Sequence, residues 1–182
     1  MQGNFDNYPT GLSAFLAGID GYALGPGEPN REVRSALDGL DLEQAFAPRK
    51  IENPTMASAC HSGLWLLHNF LDQSHSISQN INDAIGSFWH GIMHRREGDF
   101  SNAKYWFRRV GEHEIYPDLA AAAHQISSDL FSSGNWDPFE YVDLCEASVI
   151  HGNGDHDTLV LVAHREWELL FDYCFQHAIG AA

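Results

Sequence analysis

His90 and His94 stand four residues apart, and Glu97 follows three later, in the stretch SFWHGIMHRREGDFSNAKYWFRR (87–109). On a helix that spacing puts all three side chains on one face, a turn apart. Two imidazoles one turn apart can reach a single metal ion, and a carboxylate or a third histidine can complete the set. A divalent metal is therefore the cofactor this segment could hold, with His90, His94 and Glu97 as its ligands. The metalloprotease pattern H-E-x-x-H is absent, because Gly91 stands where the general base belongs. His61 and His68, seven apart, lie nearly on one line of an upstream helical stretch. If the two helices pack antiparallel, these meet His90 and His94 across the seam and form a four-histidine site in a bundle core. Each histidine can instead sit at a helix edge, hydrogen-bonded to a carbonyl or an acid. In a metal-free polar pocket, His90 or His94 would act as acid or base near neutral pH.

The same stretch carries Arg95, Arg96, Lys104, Arg108 and Arg109, half of the chain's 10 Lys and Arg. The protein as a whole has a formal net charge of −15. Such a surface argues against nucleic acid and anionic membrane as partners, since both need a basic face. Against that background the cluster reads in two ways. The arginines pair with neighbouring acids, or Arg95, Lys104 and Arg108 surround a small carboxylate or phosphate, which guanidinium forks suit.

Elsewhere the sequence offers little chemistry. HGNGDHD (151–157) is rich in ligand types but lacks the Asx spacing and the Glu of a calcium loop, so it reads as a turn followed by a helix cap. There is no Gly-rich phosphate loop and no G-x-S-x-G elbow. Cys60, Cys145 and Cys174 are unpatterned and read as buried, reduced thiols, as expected of a cytoplasmic protein. The first residues, MQGNFDNYPTG, lack the basic and apolar regions of a secretory leader, and LVLVA near the C-terminus is too short to span a bilayer.

The elements that must position these residues are helical. At 182 residues the chain fits one domain, and 44 % hydrophobic content can fill its core. Residues 1–30, rich in Gly, Pro and Asn, read as an irregular arm with room for a short helix at its one apolar piece, LSAFLAGI. Short helices are expected after Asn30 and over DLEQAF, then a linker between Pro48 and Pro54. Met56, Cys60, Leu64, Leu67 and Leu71 share one face of a central helix. DQSHSISQN (72–80) reads as a polar connection. Ile81–Arg96 and Ser101–Val110 follow as helices, then Asp118–Phe131, Pro138–Ile150 and a long final helix capped by Asp157 or Thr158. No run of alternating β-branched residues appears. The class is all-α, a single-domain bundle of six to eight helices around a central hairpin.

That hairpin is 87–117. Gly91 and Ala103 are the small residues where two helices cross, Gly98-Asp99 turns the chain, and Phe107 and Pro117 follow. The order resembles one tetratricopeptide repeat, with His94 where that repeat prefers Tyr. No second copy occurs at the 34-residue period, so a repeat array is excluded. More widely, ACHSGLWLLHNFLDQSHSISQ with GSFWHGIMHRREGDFSNAKYWFRRVGEH resembles a family of small uncharacterised proteins sharing a W-H-x-x-x-H-R-R-E-x-D-x-x-N-A-K-Y-W-x-x-R core. The likeness covers residues 55–115 and brings no activity with it. The residues themselves suggest a binding module for a partner protein or a small anionic ligand, working through His90, His94, Glu97 and the adjoining arginines. The alternative is a metal-dependent, hydrolase-like enzyme at His90 and His94, with a further ligand from His61, His68 or Glu97.

Overall fold

The computed structural model describes residues 7–17, 21–131 and 134–181. All regular structure among them is helical: α1 (Thr10–Leu16), α2 (Arg34–Asp38), α3 (Leu42–Phe46), α4 (Pro54–Leu67), α5 (Leu71–Ser78), α6 (Ala84–Glu97), α7 (Phe100–Val110), α8 (Tyr116–Ile126), α9 (Pro138–His151) and α10 (His156–Ala178). The all-α expectation holds; the apolar piece of the arm forms α1, the two short helices expected before the linker are α2 and α3, and α5 is a helix that the periodicity did not indicate.

The starts of these helices are written in the sequence. Asp41, Asn53, Asp83, Asp99, Asp137 and Asp155 each accept hydrogen bonds from first-turn amides that have no partner inside the helix. Asp155 caps α10, not the expected Asp157 or Thr158, because the helix begins one residue after it. Gly98 ends α6 with a left-handed φ of 90°, a conformation that only glycine adopts without strain.

α4, α6 and α10 meet at the centre. Gly63 on α4 permits this: a Cβ there would stand 2.8 Å from the Trp89 ring of α6 and 3.2 Å from Phe171 of α10. Its carbonyl accepts the Trp167 indole N–H at 2.8 Å. α6 is buried along its whole length, from Ile85 to Arg96. It therefore buries its apolar stripe and its polar face alike. α7 folds back on α6 across Gly98, and Phe107 lies over Gly91, where an added Cβ would be 3.1 Å from the ring. α9 packs against α7, and α8 against α10.

α5 departs from the expected polar connection. Asn69, at φ 64°, turns the chain out of α4. α5 then lies against both α4 and α6. Its fully buried side chains are the serines Ser74 and Ser78, with Leu71 and Ile77 packed half-buried against the core. Ser62 Oγ lies 3.0 Å from both the carbonyl and the hydroxyl of Ser74, and Ser78 bonds to His90. Small polar residues that pair internally allow close packing without a hydrophobic stripe.

No helix of the described residues is long and apolar enough to cross a membrane. All three cysteines are buried and unpaired in disulfides. Burial lifts the Cys145 thiol to about 11 and that of Cys174 to about 12. Native protein at neutral pH is accordingly expected to react with a thiol-specific disulfide reagent at least about 100-fold more slowly than the denaturant-unfolded chain, which exposes all three. Stopped-flow absorbance of the released chromophore reads this.

Candidate metal centre

α5 and α6 bring three imidazoles to one point. One candidate ligand atom from each of His75, His90 and His94 lies within 4.8 Å of the other two. The ring centroids are 4.5 Å apart for His75–His90, 4.7 Å for His90–His94 and 5.6 Å for His75–His94. A tetrahedral ion with bonds of about 2.0–2.1 Å needs its nitrogens roughly 3.4 Å apart. Side-chain rotations of the three rings would have to close the remaining gap.

The hydrogen bonds around the rings show which nitrogens are engaged. His90 Nδ1 is 2.9 Å from Ser78 Oγ, and that hydroxyl donates to the His75 carbonyl at 3.3 Å. A hydroxyl has one proton to give, so Ser78 accepts the Nδ1–H of His90 and leaves Nε2 with its lone pair. His94 Nδ1 is 2.6 Å from Glu97 Oε1 and donates to it. The lone pair at His94 Nε2 then accepts from the Asn102 amide at 3.1 Å, so a metal bound there would displace that amide. The His75 ring makes no hydrogen bond among the described residues. Burial, reinforced by His94 and His75, pushes His90 down to about 3, so it is neutral at physiological pH, the form that binds metal. Carboxylate or hydroxyl partners on the distal nitrogen are what ligating histidines use to fix tautomer and ring orientation.

Glu97, expected as a ligand, stands in this arrangement as the orienting partner of His94. It also groups with His94 and Asp99 within 4.8 Å. Asp99 is occupied by the Asn102 backbone amide and the Ser101 hydroxyl, both at 3.1 Å. Trp106 of α7 walls the other side, its ring 4.1 Å from that of His90.

The other expected residues fall elsewhere. His61 and His68 do not meet His90 and His94. His61 Nε2 lies 3.1 Å from the Leu37 carbonyl, and His68 Nε2 lies 2.9 Å from that of Phe15. Both face the N-terminal segment, while α5 supplies His75 to α6 in their place. Arg95, Lys104 and Arg108 do not converge on a cleft. Arg95 is buried and forms a two-point ion pair with the buried Glu166 of α10, one arm at 3.1 Å. Burial works against its charge, but Glu166 outweighs this and keeps it protonated. Lys104 pairs with Asp143 of α9. Arg108 lies 5.9 Å over the ring of Phe139. Sequence reasoning missed His75, Ser78, Asn102 and Trp106. Asn102 and Trp106 are letters of the motif quoted above, and Ser74 and Ser78, one turn apart, are the sign that α5 is a packed helix.

No protein-family model, no curated protein and no solved structure matches the chain. The functional reading therefore rests on the site itself.

Proposed function

We propose that this protein is a metal-dependent, hydrolase-like enzyme whose centre is a divalent transition metal held by His75, His90 and His94. The observation that carries the reading is the third histidine. His75 comes from a separate helix and arrives beside two imidazoles whose Nδ1 atoms are already engaged. A three-histidine set suits zinc and its neighbours and leaves a tetrahedral ion one open position. An ion there would supply Lewis acidity and a water that ionises near neutral pH. Of the protein's own groups, Glu97 holds the His94 proton at Nδ1, Ser78 holds that of His90, and the Asn102 amide, which donates to His94 Nε2 here, would be released by an ion bound at that nitrogen. Binding of a small anion by the basic cluster alone has less support, because Arg95 and Lys104 are consumed by Glu166 and Asp143.

The test is turnover of p-nitrophenyl acetate and p-nitrophenyl phosphate by protein stripped with a chelator and then reloaded with one equivalent of zinc. The reloaded protein is expected to release nitrophenolate above the stripped baseline, with His75→Ala at that baseline. Glu97→Gln is expected to weaken zinc affinity by roughly 10–100-fold. Full zinc occupancy with no turnover of either ester would contradict the hydrolytic reading.

A further inference from the structure

Five cations lie between residues 95 and 109, and four of them are engaged away from the histidines. Arg95 is closed on Glu166. Arg96 is buried and donates to the carbonyls of Gly25, Pro26 and Leu66 and to the Asn69 side chain. Lys104 is held by Asp143, and Arg108 turns to Phe139. Arg109 differs. Its guanidinium lies 5.1 Å over the indole of Trp106, and that indole lies 4.1 Å from the His90 ring. Arg109 is exposed and forms no ion pair among the described residues.

Asn102, Trp106 and Arg109 follow one another at four and three residues, so they share one strip of α7. An amide donor, a flat aromatic wall and a guanidinium thus run alongside the histidines in that order. Three neutral imidazoles leave the charge of a divalent ion uncompensated. The two nearby carboxylates are already engaged, Glu97 by His94 and Asp99 by the start of α7. A guanidinium stacked on an indole stays charged and keeps its edge donors free for a two-point contact.

We infer that the centre takes an oxyanion, a carboxylate or phosphoryl group of a small molecule, and that Arg109 is the residue that selects it, with the Asn102 amide, released from His94 Nε2 by the bound ion, as second donor. This rests on the metal reading above. It also gives a role to Arg109 on a chain of net charge −15: its guanidinium is where an anion can approach.

Cobalt(II) provides the probe, because its visible spectrum reports a change of ligand. Wild type and Arg109→Gln are each loaded with one equivalent of cobalt, and loading is read before any anion is added. Acetate and inorganic phosphate are then titrated separately at constant ionic strength. Both proteins are expected to load fully. The wild-type spectrum should shift saturably, and Arg109→Gln should need at least 10-fold more anion, with Arg109→Lys between them. A stronger response to phosphate assigns a phosphoryl substrate, and a stronger response to acetate assigns a carboxylate. Equal affinities in wild type and Arg109→Gln, or loaded protein that ignores both anions, overturn the inference and leave the metal centre standing. Wild type that fails to take up cobalt overturns the metal reading and this inference together.

Discussion

Glu166→Leu is expected to be the most destabilising single substitution in the protein, costing about 3–5 kcal/mol. Glu166 and Arg95 are both buried, and they face each other from α10 and α6. Removing the carboxylate leaves a guanidinium sealed against the rings of Tyr141 and Phe107, at 4.6 and 5.8 Å, with no acid to balance it. The large cost measures that uncompensated charge and not the net worth of the pair. Arg95→Met combined with Glu166→Leu should therefore recover most of the loss, since a packed apolar pair of similar volume often equals a buried ion pair. Urea unfolding of the two single variants and the double variant reads this as a thermodynamic cycle. A cost under about 1 kcal/mol for Glu166→Leu, or a double variant as unstable as the worse single one, would contradict the account.

His75→Ala is expected to have the largest effect on metal binding relative to its effect on the fold. His90 is buried and anchored to Ser78, so its removal also disturbs the packing of α5 on α6. His75 is half-buried and contributes ring contacts only, so its loss should leave helix content and unfolding midpoint near those of the wild type. Replacing an orienting partner of a ligand costs roughly 10–100-fold in affinity, and losing a ligand from a set of three should exceed that. Isothermal titration with zinc, beside circular dichroism of the same samples, separates the two effects. Unchanged zinc affinity in a folded His75→Ala protein would remove His75 from the centre.

Much of the architecture was legible because local chemistry specified it. Apolar spacing marked α4, α6, α7 and α9 and Gly98 marked the turn of the hairpin, while the cap position of α2 is Val33, three residues past the expected Asn30. The apolar face from Leu159 to Cys174 gives α10. What stayed hidden depends on pairings between distant residues. Arg95 read as either paired with an acid or free for an anion, and its partner was not legible because it lies 71 positions away on α10. α5 read as a connection because its fully buried side chains are serines, bonded to Ser62 and His90, and two apolar residues, Leu71 and Ile77, are too few to set a periodicity. That omission decided the site. With 72–80 taken as loop, the third histidine was sought on α4, at His61 and His68, whose ring nitrogens in fact meet the carbonyls of Leu37 and Phe15. His90 and His94 were legible from spacing alone, while His75 became a candidate only through the close approach of α5 to α6.

The central claim is that His75, His90 and His94 hold a metal. The most direct measurement is elemental mass spectrometry of the untagged, chelator-free purified protein, beside the His90→Ala, His94→Ala double variant. The account predicts about one equivalent of zinc, iron, cobalt, nickel or manganese per chain in the wild type and only trace metal in the variant. Trace metal in both, with zinc added back failing to bind, would contradict it.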